Sequence, residues 1–600
     1  MSGKLPNSTL TSLPTLIVKL DGTELPASYL VYEVTTWQTI YKISKASVTI
    51  LGGNSFQNTF EESQKSMFEP GVEIEISMGY DQKNTMVFKG IISKHALKIE
   101  SGYEKYNYKN KLVLECADKA LKMTFEKKSE IFEKKKDSEI ITTILADAGV
   151  SKEVDSTDYK HEFLTQFNIT DWDFVLKRAK ANGLLVLNAN NKVTVTKATI
   201  DGSPAAKIIY GDGAISFDAE VDSTLQVQDV ETKSWDLFKE EEVKQTGTEP
   251  SALSQPGDLS GKKLGKVFSP DKISQTYHAP IESGELKTLA DAIMVESRMT
   301  RVRGVVSFRG IPEVKLGGVI TLSGFGARFE GDVLVTSVTH QMYEGNYVTR
   351  VGFGLPQNAF QTGLMENPFP LLNAMEGLYP AIVTKIDGDP QDDYRIQVKI
   401  PALKDSGNGL WARQAQLYAT KGAGSFFIPE VGSEVIVGFM HNDPRFPVIL
   451  GGLYNSKNDP YQKIESENPK KAIVSKEKLM IEFDDKDKIL TIETPGSNSF
   501  ILSDKDKGIE IKDANGNSIK MSSSGIEINS NKAVNIKSGQ KVTIEGGTGI
   551  DVKASGGDVS VKGLNVTNEA QIKFSGKGTA QAELNASGQV TVKGAVVMIN

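Results

Sequence analysis

The feature that most constrains this chain is a spacing. From Gly525 to Lys553 the sequence reads GIEINSNKAVNIKSGQKVTIEGGTGIDVK, and the apolar pairs Ile526/Ile528, Val534/Ile536, Val542/Ile544 and Ile550/Val552 recur every eight residues. Two residues apart on a strand means the same face, with the residue between them pointing the other way. The Gly, Ser and Asn that follow each pair supply a corner. A strand this short buries too little apolar area to offset its ordering entropy, so each octad needs a covering partner. More octads are the obvious partner, and two arrangements provide them. One chain may coil alone, three octads per turn, as a triangular solenoid; or three identical chains may each give one side and wind about a shared axis. Periodicity alone leaves both open. About fifteen strands stacked near 4.8 Å would make a rod roughly 70 Å long in the three-chain case, and about a third of that for one chain.

Apolar i, i+2 pairs run through the whole of 470–600, from Leu479/Ile481 to Val597/Ile599, in a segment without Arg, Trp, Cys or His. This is an internal repeat of short strands. Before it, 376–457 reads as short strands punctuated by Gly and Pro, the pattern of a small OB-type barrel. Residues 15–125 alternate apolar and polar, as in GVEIEISMGY (Gly71–Tyr80), which predicts half-buried antiparallel strands. A lysine-rich helix with a solvated face is predicted over Phe125–Gly149. Thr170 or Asp171 caps a second helix that runs through Ala181 and stops at Gly183, followed by a hairpin turning at NANN. Polar sequence over 240–285 predicts loops, a helix follows near Glu285–Arg298, and 355–370 reads as a boundary.

Chemistry is harder to assemble. The five histidines (His95, His161, His278, His340, His441) are dispersed, and one cysteine, Cys116, supports neither a disulfide framework nor a zinc site. Cys116 reads as a small buried residue and His340 as a packed strand-end residue. DGDPQDD (Asp387–Asp393) lacks the glycine and glutamate of a calcium loop and reads as an acidic turn; GFGARF lacks what a phosphate cradle needs. A net charge of −7 without a basic groove argues against nucleic acid, and Trp411 and Arg413 read as core and strand-pairing positions. No catalytic, cofactor or metal site is assigned. No stretch is long and apolar enough to span a membrane, and the opening MSGKLPNSTLTSLPTL lacks a charged-then-apolar pattern, so no signal peptide is expected.

These parts together resemble VgrG-type spike proteins of contractile injection systems, a family similar to the fused hub and spike of a phage baseplate. FEPGVEIEISMGY, VFKGII and VLECADKALKM resemble the first tube-like hub barrel, and RGIPEVKLGGVITL with GDVLVTSVTH the second. In NITDWDFVLKRAKANGLLV, residues Thr170, Asp171, Phe174, Leu176, Arg178 and Gly183 match a family stretch, with Asn182 beside the glycine. The stretch from YRIQVKIP to VILGGLYN resembles the baseplate OB domain through Trp411, Arg413, Gly424, Pro429, Gly432, Glu434, Val435, Asp443, Pro444, Pro447 and Gly451. GQVTVKGAVVMIN resembles spike ends that seat a conical PAAR-type tip.

The resemblance implies a mainly β fold in three parts. They are a hub of two tube-like β-barrel domains with short helices (1–365), an OB-fold domain (371–457) and an intertwined trimeric parallel β-helix needle (470–600). It implies a homotrimer whose six tube-like domains continue a hexameric inner tube at the baseplate. It further implies a PAAR-type tip, effector cargo and transient contact with a target membrane, in a protein that is cytoplasmic until assembled and then delivered outward. The needle core is then Ile526, Ile528, Val534, Ile536, Val542, Ile544, Ile550 and Val552, and the tip-binding end is Val590, Val592, Val597 and Ile599. Only about a dozen residues (458–469) separate the OB part from the repeat, and none follows Asn600, so neither an inserted wall-cleaving enzyme nor a fused toxin is expected. The expected role is mechanical rather than enzymatic. The competing readings are a monomeric β-solenoid enzyme acting on polysaccharide and a trimeric fibre or adhesin.

Overall fold

The computed structural model describes residues 3–6, 12–54, 59–99, 110–237, 239–254, 256–356, 372–404 and 409–599. The chain divides into two units, Met1–Gln462 and Lys463–Asn600.

In the first unit the alternation of Glu73–Tyr80 does what its pattern dictates, with Ile74, Ile76 and Met78 buried in sequence steps of two. That strand belongs to a 13-stranded sheet built from both expected hub halves. The N-terminal half packs Val34, Ile50, Phe88, Leu112 and Leu114 into one core. The later half packs Val306, Phe308, Ile320, Val338 and Phe353 into another. Leu30–Thr39 of the first half pairs antiparallel with Gly331–Tyr343 of the second, Trp37 opposite Thr339 and Thr36 opposite His340. The seam leaves no unpaired edge between the halves.

Two stretches depart from expectation. Within the predicted lysine-rich helix only Asp137–Asp147 is helical; Lys127–Lys136 is a strand paired with Lys160–Thr170. That pairing buries Ile131 and Phe132, and long-range pairing of this kind outweighs the weak helix preference of Lys and Glu. The predicted loops over 240–285 contain the strands Glu241–Thr246 and Ile273–Thr276, which flank Val230–Asp236 in a three-stranded sheet. The helix Ser283–Met299 packs on that sheet through Leu286, Ile293 and Met294. Polar outer faces hid these strands in the sequence.

The helix Asp171–Ala181 forms as read. The Thr170 hydroxyl accepts from the Asp173 amide as N-cap, and Gly183 takes the left-handed conformation (φ 65°) that ends it. The NANN turn joins Leu184–Ala189 to Lys192–Lys197, with Asn190 and Asn191 both at positive φ. The OB segment is a closed barrel of Tyr379–Lys385, Ile396–Lys399, Leu410–Gln414, Pro447–Leu453 and Glu434–Phe439 around Val383, Val398, Val435, Val437 and Ile449. Trp411 is buried, and Arg413 holds a strand-pairing position opposite Val448 with its side chain exposed. The boundary read at 355–370 lies, from 357 on, outside the described residues.

The second unit opens with seven strands: Lys470–Val474, Met480–Asp484, Ile489–Glu493, Ser499–Ser503, Gly508–Lys512, Ser518–Ser522 and Gly525–Asn529. Each pairs antiparallel with the next, so this part of the repeat is a meander rather than the expected parallel coil. Turns of a few residues, such as Asp485–Lys488, reverse the chain, which only antiparallel strands allow. From 530 to 599 the described residues form no strand within the chain.

Candidate functional site

The meander sorts its side chains by face. Cross-strand register places Ile473, Ile481, Ile492, Phe500, Ile511, Ile519 and Ile528 in one continuous ladder. Phe483, Leu490, Leu502, Ile509, Met521 and Ile526 form a second on the same face, because i and i+2 point alike. Between the ladders, on the opposite face, run Glu482, Thr491, Ile501, Glu510, Lys520 and Glu527. The apolar ladders are not covered within the unit: Phe483 remains 46% exposed and Ile481 37%. Of the eight residues read as needle core, Ile526 and Ile528 lie in this antiparallel sheet. Val534, Ile536, Val542, Ile544, Ile550 and Val552 lie beyond it and are all at least half exposed. In the three pairs beyond the sheet the first member is the less exposed, as at Val542 (50%) against Ile544 (72%). Val590, Val592, Val597 and Ile599 are likewise exposed at the end of the segment.

The first unit carries a second constructed feature, a chain of buried charges joining the hub helices to the OB barrel. Arg178, 1% exposed, donates from Nε and Nη2 to Asp137 at 2.6 and 2.9 Å, and Nη2 lies 3.9 Å from Glu285. Glu285 accepts from Arg445 Nη1 at 2.7 and 2.9 Å, and Arg445 also donates to Asp443 at 2.7 and 3.0 Å. His161 Nε2 meets Asp137 at 3.1 Å, and the Asn182 amide donates to the same carboxylate at 2.8 Å. Asn182 thus has a use: an acidic residue there could not donate and would face Asp137. Burial opposes ionisation of Asp137, but Arg178 and His161 hold its carboxyl well below the usual range. Burial likewise works against the Arg445 charge, and Asp443 and Glu285 more than compensate, raising its pKa. A cavity of about 110 Å³ beside the chain is walled by Tyr159, Phe163, Trp411 and Phe446.

Arg178 was marked by its motif; Asp137, His161, Glu285 and Arg445 were not. The signal available for Arg445 was its place in NDPRF, directly after the matched Asp443 and Pro444. Other single residues behave as read. Burial pushes His340 down to about 4, leaving a neutral ring that meets Thr349 Oγ1 at 3.1 Å and the Val314 carbonyl at 3.2 Å. Burial pushes the Cys116 thiol up to about 12, where it is unreactive. The acidic turn closes on itself: Asp389 accepts from the Gln391, Asp393 and Arg395 amides and the Arg395 guanidinium. Although burial disfavours its charge, these donors hold the Asp389 carboxyl down to about 2. Among the described residues no group of three His, Cys, Asp or Glu is placed to hold a metal, and no helix is long and apolar enough to cross a membrane.

A two-core hub sheet, an OB barrel and a repeat with uncovered apolar ladders, in that order, define a spike protein of the VgrG and phage-baseplate type. Residues 10–344, more than half of the chain, match the family model described as the Alg8 N-terminal domain, and the chain belongs to that family. Residues 379–454 match the type VI secretion system/phage-baseplate injector OB domain, and 489–600 the phage baseplate V C-terminal trimerisation domain. The type VI secretion system spike protein VgrG1c of Pseudomonas aeruginosa is 24% identical over 368 residues, 55% of this chain and 48% of that protein. VgrG1a of the same organism is 29% identical over 193 residues, 29% of this chain and 28% of the relative. The chain spans about half or less of the length of these curated relatives. A chain of the lidded PdpA–VgrG complex of Francisella shares the fold, with a TM-score of 0.52 at 12% identity over 84% of this chain and 82% of that one.

Proposed function

We propose that this chain is the non-enzymatic, trimeric central spike and hub of a contractile injection system. The observation that carries the reading is the uncovered apolar face of the repeat. Three meanders packed ladder to ladder form a closed three-sided prism, and seven strands at about 4.8 Å give it a height of roughly 30 Å. Octads from 530 onward continue it if each chain supplies one side, which buries every pair at about 1.5–3 kcal/mol per fully covered branched side chain. A monomeric solenoid enzyme would bury those pairs within one chain, and the exposure at Val542 and Ile544 speaks against that. The matched trimerisation-domain family supports the same stoichiometry.

The hub reading draws support from the seam. One sheet spanning two cores lets three chains set six similar sheet segments around an axis, the symmetry a hexameric inner tube would need. Work would come from the contracting sheath, and this chain would supply a stiff, narrow point that punctures the target envelope. Val590, Val592, Val597 and Ile599 would seat a PAAR-type tip, and the spike would carry effectors. Light scattering on the purified chain tests the core of the proposal. Three times 65.3 kDa is expected, and a particle of 65.3 kDa overturns it.

A further inference from the structure

We propose that an apolar arm of the OB barrel, residues 414–427, is a second self-association site that seats on the barrel of a neighbouring copy. The inference rests on the trimeric reading above but on a different surface. After the barrel strand Leu410–Gln414 the chain runs out and back as a short ladder, Ala419–Thr420 against Ala423–Gly424. The Ser425 amide donates to the Tyr418 carbonyl at 2.8 Å, and Gln414 Nε2 to the Phe427 carbonyl at 2.9 Å. The arm is therefore a defined element rather than a loose loop.

Its side chains face outward without cover. Leu417 is 99% exposed, Phe426 84%, Phe427 63% and Tyr418 59%. At areas on the order of 150–250 Å² per large side chain, these four present roughly 450–750 Å² of apolar surface. That is at or beyond the largest patch a typical monomer exposes, and close to the ~800 Å² each partner gives to a standard interface. Lys421 is the arm's sole charge, so little needs desolvating besides apolar groups. A groove of about 430 Å³ lies at the arm's root, floored by Ile428, Ile449 and Leu450. Each copy thus offers one projection and one recess, a heterologous contact that closes as a ring when three copies share an axis.

The partner is a second copy of this chain because the chain itself supplies the proximity. The last barrel strand ends at Leu453 and the first ladder strand begins at Lys470. A linker of that length has a flexible span of roughly 20–25 Å, which holds barrels tethered to one prism at millimolar effective concentration. A patch too weak to associate alone is saturated under that tether.

The test compares the parent chain with the double variant Leu417→Asp/Phe426→Asp by native mass and hydrogen exchange. Both substitutions are at exposed positions, so each barrel stays folded. Expected is a trimeric mass for both proteins, with amides of 415–427 exchanging at least tenfold slower in the parent. A trimeric parent whose arm exchanges as fast as the variant's overturns the arm and leaves the trimeric reading standing. A parent of single-chain mass overturns both.

Discussion

Replacing Arg445 with Met removes the guanidinium that ties the OB barrel to the hub while keeping most of the side chain's volume. Arg445 is 6% exposed and sits between two carboxylates, Glu285 at 5% and Asp443 at 10%. Without it, Glu285 is left with Arg178 at 3.9 Å, and Asp443 loses the Arg445 guanidinium that faces it. Breaking a buried ion pair from one side costs about 3–5 kcal/mol, chiefly because the abandoned charge stays out of water. At about 1.4 kcal/mol per tenfold, local opening rises by two to three and a half orders of magnitude. The readout is hydrogen exchange of the strands Glu434–Phe439 and Pro447–Leu453, with the distant strand Glu73–Tyr80 as internal reference. The control is Lys404→Met, which removes an ion pair to Glu130 across the same two parts; Lys404 is 84% exposed. An exposed pair contributes at most about 1 kcal/mol, so that variant shifts exchange by about fivefold or less. Equal effects from the two substitutions would refute the claim that burial makes the Arg445 chain the joint.

Two further outcomes are expected. Val542→Asp puts three carboxylates together at the prism axis, each replacing a side chain that gains about 1.5–3 kcal/mol when buried. The variant should lose trimer mass and protease resistance, and detergent-resistant trimers of it would show that Val542 does not face inward. Asp389→Asn tests the acidic turn. A carboxyl whose folded pKa is about 2 contributes stability that is complete above its unfolded value near 3.9 and is lost as pH falls through about 2. The variant should therefore melt below the parent at pH 7, by about 2–3 kcal/mol of barrel stability, and converge with it near pH 2. A difference that persists unchanged at pH 2 would assign the effect to lost hydrogen bonds alone.

Local signals were legible in the sequence. Thr170, Gly183 and the NANN turn were read because their chemistry acts over a few residues. The octads were read because a two-residue offset fixes a face whatever covers it. The hub strands failed where that locality fails: Lys127–Lys136 is a strand because Lys160–Thr170 lies beside it, which its own composition does not encode. The antiparallel meander was missed for a related reason. Both a parallel coil and an antiparallel meander place Ile509 and Ile511 on one face, and the difference lies in turn geometry. The charged joint was half visible, because Arg178 sits in a motif while its partners Asp137 and Glu285 stand 41 residues before it and far beyond it in the chain.

The unequal strand spacing of the meander has a consequence for phase. Octads are nearly interchangeable, so three chains displaced by eight residues would still bury a pair at almost every level. Nothing in Val534/Ile536 or Val542/Ile544 distinguishes the right alignment from the next. The meander breaks that degeneracy: its strands start nine or ten residues apart as far as Ser518, out of step with the octads, and Phe483 and Phe500 are the only aromatic residues among its aliphatic side chains. Three copies can match those aromatic positions in one alignment only. In the proposed trimer the sheet from Lys470 to Asn529 would then set the register, and the self-similar octads would inherit it.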